Sequence, residues 1–197
     1  RRFERVLRRA IRAAAGTLWR YMMPPRPLMK VPLALLSAEW LCRTFSMDVV
    51  VMIRHPAAFA ASLKRKDWTF PFSHLLSQRQ LMEDVLSEFR PEIDSFTKNE
   101  RDVVEQAALL WKVLYFVVRR YRETHEDWLF VRHEDLCRDP EAGFRRILGH
   151  LGLDAGPRML EQIRAHSAPD NPVGGDGIRR DSRALIYKWK RLLSEAE

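Results

Sequence analysis

The stretch from Asp48 to Lys66, DVVVMIRHPAAFAASLKRK, constrains the fold more than any other in the chain. Val49 to Ile53 is a continuous run of β-branched and apolar residues, without the alternation of a strand that has one wet face. Such a run predicts a strand buried on both faces of a parallel sheet. Arg54 stands where that strand ends. Pro56 stands where a helix would begin, at a position that needs no backbone N–H. Ala57, Ala58, Ala60, Ala61, Leu63 and Lys64 continue the helix well. The order is strand, turn, helix, with a cation at the tip, and ligands of open α/β sheets bind at such tips. Ser62 follows Arg54 by eight positions, on the first turns of the helix. A guanidinium supplies a planar fork of donors and a hydroxyl adds a short one, so the pair suits one phosphate group.

The remainder is long enough for one domain over residues 1–197 with a sizeable core. The formal net charge of +8 favours an anionic partner, which nucleic acid, an anionic membrane surface and a nucleotide all satisfy. Much of that charge falls at the start. Arg1 to Tyr21 has helical spacing of apolar residues, and its other face carries Arg1, Arg2, Arg5, Arg8, Arg9 and Arg12. This basic amphipathic segment, 1–22, suits packing on the domain, peripheral contact with a membrane or binding of nucleic acid. Cys42 and Cys137 fit no metal-ligand spacing and read as free thiols in a reducing cytoplasm. No apolar run approaches a membrane span, and no metal site is expected.

Further along, Pro27 to Lys30 reads as a short strand, and Pro32 as the opening of a helix with Leu33, Leu36, Trp40 and Leu41 inward. Asp67 to Ser73 is an aromatic loop, suited either to lining an acceptor pocket or to plugging the core. His74 to Phe89 reads as one helix with Leu75, Leu76, Leu81, Met82, Val85 and Leu86 inward, broken at Arg90-Pro91, with a polar connection from Pro91 to Arg101. Asp102 to Thr124 is the longest clear helix, on which Trp111 and Tyr115 read as core. Trp128 to Arg132 is a second strand. Beyond it, Asp139 and Pro140 open a helix that Gly152 ends, and Glu134 and Asp135 suit capping and turn chemistry. Ser167 to Asp181 is a loop rich in Pro, Gly and Asp.

The pattern R-H-P-x-x-x-x-x-S behind a hydrophobic strand resembles the 3′-phosphate-binding element of sulfotransferases that use 3′-phosphoadenosine 5′-phosphosulfate (PAPS). Later segments resemble the same family over 27–197. Lys30, Pro32, Glu39, Trp40 and Leu41 match a K-D-P segment and a helix ending E-W-L, with Val31 replacing the acid. Glu134, Asp135, Leu136, Asp139, Pro140, Leu151, Gly152 and Leu153 match a Y-E-D-L, D-P and L-G-L series, with His133 replacing the tyrosine that touches adenine in the family. Arg179, Arg180 and Arg183, followed by Trp189-Lys190, resemble the basic loop over the 3′-phosphate and its Trp-Lys pair.

The resemblance implies one α/β domain of the P-loop-NTPase-like three-layer kind, with a mainly parallel sheet flanked by helices. It implies sulfuryl transfer from PAPS to a hydroxyl or amine of a small-molecule or glycan acceptor, leaving adenosine 3′,5′-bisphosphate. Arg54, Ser62, His133, Arg179, Arg180 and Arg183 would hold the nucleotide, and Lys30 would assist the transferred oxygens without a metal. No residue matches the family's base. The P-K-x-G-T-x-W loop that cradles the 5′-phosphosulfate also has no counterpart, because Gly16-Thr17 follows no strand. The expectation is a sulfotransferase, cytoplasmic or membrane-associated, whose front part is missing and which is inactive alone. The rival readings are a nucleotide kinase of related fold, and a non-catalytic basic module for nucleic acid or membrane. Nucleic acid is not the expected partner.

Overall fold

The structure, a computed structural model, describes residues 26–31, 34–173, 177–195 and 197. The basic amphipathic helix expected over Arg1 to Tyr21 lies outside these, as do Pro32, Leu33 and residues 174–176. The chain divides into two units, Arg1–Pro32 and Leu33–Glu197. In the first unit, 26–31 is exposed, irregular backbone, so the short strand expected at Pro27 to Lys30 does not form. A strand needs a paired ladder, and Pro27 has no N–H to give one.

The second unit is mixed α/β. A 3-10 turn, Ala34–Ser37, leads into α1 (Ala38–Phe45). Strand β1 (Val50–Ile53) follows, then α2 (Pro56–Lys64), α3 (Ser73–Leu76) and α4 (Arg79–Asp84). A 3-10 turn at Ser87–Phe89 leads into α5 (Arg90–Lys98), and the long α6 (Val103–Thr124) comes next. Strand β2 (Leu129–Arg132) passes directly into α7 (His133–Arg138), followed by α8 (Pro140–His150), α9 (Pro157–Ser167) and α10 (Ser182–Leu185). A last 3-10 turn occupies Lys188–Arg191.

The two strands pair in parallel, with Val50 opposite Leu129 and Ile53 opposite Arg132. Among the described residues this is the whole sheet. Val51 is buried, as its position in the apolar run predicts, but Met52 is 44% exposed, so burial on both faces is not met. The core lies instead between the sheet and the helices. Leu75, Met82, Leu86, Ile93, Leu110 and Val113 are its largest fully buried side chains.

Helix α6 organises this core, as its length predicts. Asp102 caps it: its carboxylate accepts from the N–H groups of Val104 and Glu105, and Glu105 returns the contact to the Asp102 N–H. Asp139 caps α8 in the same manner through Ala142, with Pro140 in the first turn, and Gly152 closes the C-terminal end at φ +64°.

Three expectations are corrected. Trp40 is 61% exposed, packed edge-on against Phe45. The turn before α1 sets a phase in which Leu35, Leu36, Ala38 and Cys42 meet the core, and Trp40 falls on the opposite side from Ala38. The single helix over His74 to Phe89 is divided. The Ser77 hydroxyl and the Gln78 side-chain amide both donate to the His74 carbonyl, which ends α3. Its inward residues are nonetheless buried or packed on the core. Pro91 does not separate a helix from a connection. It sits in the first turn of α5, where a missing N–H costs nothing, and Ile93 anchors that helix in the core.

Candidate functional site

The parallel register that pairs Ile53 with Arg132 makes Arg54 and His133 the next residues on each strand, both at the carboxyl edge. The turn from β1 into α2 is then held by side chains from other elements. The Arg54 N–H donates to the Tyr115 hydroxyl, and the Trp111 indole N–H donates to the Arg54 carbonyl over 2.9 Å. Trp111 and Tyr115 lie one turn apart on α6 and stack, with ring centres 4.1 Å apart and planes within 16°. The His55 N–H donates to Oε1 of Glu134 over 3.0 Å, and the His55 carbonyl accepts from Phe59 N–H inside α2. All four backbone polar groups of Arg54 and His55 therefore have partners, three of them side chains.

The Arg54 side chain differs from its backbone. Nε is buried and has no hydrogen-bond partner among the described residues. Burial lowers the guanidinium pKa, and the Glu134 charge opposes that shift, with Cys137 and Tyr115 in support and Arg65 against. Glu134 is itself buried, with 5% of its surface exposed. The site thus holds a cation whose counter-charge lies within electrostatic reach while one of its donors goes unused. Buried donors left unmade are uncommon, and each calls for a physical account.

His133 is half-buried. Burial first, then the charge on Arg54, lowers its pKa below the ordinary value of 6.5, so the imidazole is mainly neutral at neutral pH. Its ring nitrogens lie 3.6 and 3.7 Å from the Cys137 sulfur. Burial, then Glu134, pushes the Cys137 thiol up to about 11, which keeps it protonated and poorly nucleophilic. Ser62 is half-buried on α2, and no hydrogen bond joins its hydroxyl to Arg54 among the described residues.

The C-terminal segment returns to the same edge of the sheet. Trp189 stacks on His55, with centres 5.2 Å apart and planes within 13°. Lys64 on α2 pairs with Glu197 at 2.6 Å. Arg180 donates from its N–H to the His166 carbonyl and from Nε to Gly177, while Arg183 donates from Nε to the Arg138 carbonyl over 3.2 Å. Ser182 donates to the carbonyls of Cys137 and Ser167. Arg179 is exposed. The structure thus brings the Trp189-Lys190 turn to the Arg54-His55 turn, and commits Arg180 and Arg183 to backbone carbonyls elsewhere. Lys30 stands in the other unit, on exposed backbone.

The aromatic loop is partly plug and partly wall. Phe72 is buried and meets Phe70 and Phe96 edge-on. Phe70 and Phe96 also border an open cleft of about 570 Å³ together with Lys98, Arg101 and Gln106. Gln106 staples its two sides, accepting from Phe70 N–H and donating to the Arg101 carbonyl. Gln106 and Tyr115 stand roughly 13 Å apart along α6 at about 1.5 Å per residue, so this cleft is distinct from the Arg54 turn.

Residue type singled out Arg54 but not its supports. Trp111 and Tyr115 are apolar bodies with a polar tip, and in a helix with several buried faces they read as core. Glu134 reads as turn chemistry, which it performs on a turn distant in sequence. Among the described residues no cluster of three or more His, Cys, Asp or Glu side chains could hold a metal, and no helix is long and apolar enough to cross a membrane. Set beside family models, curated proteins and solved structures, the chain matches none of them.

Proposed function

We propose that the carboxyl edge of the β1–β2 sheet binds the 3′-phosphate of a phosphorylated adenosine, and that the protein is a PAPS-dependent sulfotransferase of P-loop-NTPase-like three-layer architecture. One observation carries this reading. Arg54 ends a parallel strand with its backbone fixed on both sides and its buried Nε without a partner. The residue as a whole is only half-buried, and a phosphate monoester accepts the planar fork of a guanidinium well. Ser62 on the following helix adds a hydroxyl, and neutral His133, the first residue of α7 just past the neighbouring strand, offers a flat face to adenine. PAPS would supply the activated sulfuryl group, to be passed to a hydroxyl or amine. Arg54 and Ser62 fix the donor's register.

Calorimetry on the purified chain tests this. Adenosine 3′,5′-bisphosphate should bind more tightly than AMP, because only the former presents a 3′-phosphate. Equal affinity for the two removes the reading.

A further inference from the structure

We propose that Tyr115, Trp111 and Glu134 are positioning residues that clamp the Arg54-His55 backbone and so aim the Arg54 guanidinium at its anion. The proposal rests on the phosphate-binding reading above and adds the residues that prepare the site. Three side chains from two helices converge on two consecutive residues just beyond the last paired position of β1. Tyr115 takes the N–H of Arg54, Trp111 takes its carbonyl, and Glu134 takes the next N–H. No sheet bond is available there, and at a wet strand end solvent would satisfy these groups. Here protein side chains do so instead, and each is itself braced.

Trp111 and Tyr115 stack face to face, so neither ring swings away without the other. Both stand on α6, whose Leu110, Val113, Leu114 and Val117 are buried in the core. Glu134 is buried in the first turn of α7. The Arg54 backbone is thereby tied to α6 and α7, while Nε stays unbonded. A donor fixed before its ligand arrives loses less freedom on binding, which is the physical meaning of preorganisation.

Two conservative variants separate this role from simple support of the fold. Tyr115→Phe keeps the stacked ring and removes the acceptor. Trp111→Phe keeps an aromatic contact and removes the donor. Calorimetry on the full chain with adenosine 3′,5′-bisphosphate and with AMP is read beside the ¹⁵N relaxation of the Arg54 Nε–H resonance. The expected result is a loss of about tenfold in affinity for the bisphosphate, less than twofold for AMP, and faster motion at Arg54 Nε. Should Tyr115→Phe not fold, Trp111→Phe carries the same comparison. Bisphosphate binding unchanged in a folded variant, with the wild type preferring the bisphosphate, overturns the clamp and leaves the phosphate reading standing. A wild type that treats both nucleotides alike overturns the phosphate reading itself. Unchanged Nε relaxation in the variants overturns the clamp on its own, whichever nucleotide binds.

Discussion

Strand β1 reaches its helix through Arg54 and His55, whereas β2 passes into α7 with no intervening residue. The two junctions lie side by side at one edge of a parallel sheet, yet their polar groups are used in opposite ways. At the first, the backbone receives contacts from Tyr115, Trp111 and Glu134, and the side chain of Arg54 keeps a buried donor unpaired. At the second, side chains give contacts: Glu134 to the His55 N–H, and Asp135 to Arg138 and, at 3.9 Å, to Arg132. The first junction presents a charge and the second braces the one that presents it. Adjacent strand ends of similar geometry therefore use their polar groups differently: one receives side-chain contacts on its backbone, and the other supplies one of them.

The sharpest way to break the comparison is to remove the presented charge. Charge-assisted hydrogen bonds contribute about 1.5–3 kcal/mol, so Arg54→Ala should weaken adenosine 3′,5′-bisphosphate roughly tenfold to a hundredfold in calorimetry. Affinity for AMP should hardly change. A similar loss for both nucleotides would show that Arg54 supports the fold and presents nothing.

Removing the brace should act on stability. Glu134→Ala strips the His55 N–H of its acceptor and removes the opposing charge that acts most strongly on the half-buried Arg54 guanidinium. A loss of about 2 kcal/mol follows, or roughly 4–8 °C in Tm for a chain of this size. Glu134→Gln keeps an acceptor and should cost less than half as much in thermal denaturation. Equal losses for the two variants would assign the effect to charge alone and not to the His55 contact.

A subtler difference lies along the C-terminal segment. Ser182 and Arg183 are bonded to carbonyls of Cys137, Ser167 and Arg138, while Arg179 is exposed. Trypsin should therefore cut after Arg179 before it cuts after Arg183, because cleavage needs local opening. If one of the family-like arginines also closes on the 3′-phosphate, adenosine 3′,5′-bisphosphate should slow the first cut and AMP should not. Equal protection by both nucleotides would return these arginines to ordinary surface charge.

Much of this arrangement was legible in the sequence, and the illegible part has a common cause. The apolar run at Val49 to Ile53, the capped α6, the second strand and the Asp139-Pro140 helix start are local signals, written in neighbouring residues. The phase of α1 was not local. It depends on a 3-10 turn that sends Trp40 outward, and Pro91 reads as a terminator although it serves equally at a helix start. Arg54 could be singled out because it stands at the tip of a strand–turn–helix step, with Pro56 and Ser62 at fixed spacing behind it. Its clamp could not, because Trp111, Tyr115 and Glu134 acquire their role only when helices remote in sequence converge on one turn.

The smallest expected effect concerns the tie between α2 and the end of the chain. Lys64 donates to both carboxylate oxygens of Glu197, and Ser194 adds backbone and hydroxyl donors. The Lys64 contact first, and Ser194 next, hold the Glu197 carboxyl at about 2, below its ordinary 4.5. The folded value lies below the unfolded one, so the contact contributes fully above roughly pH 4.5 and fades as the pH falls toward 2. Because the pair is exposed, its contribution is weak and sensitive to salt. An NMR titration of the Glu197 carboxyl carbon should give the low value at low ionic strength and move toward 4.5 in Lys64→Met. The Trp189 stack on His55 should loosen over the same acid range, since this tie fastens the segment that carries it to α2. A Glu197 titration unmoved by Lys64→Met would mean that Ser194 alone sets it, and that the chain end is held to its own turn instead of to the helix behind Arg54.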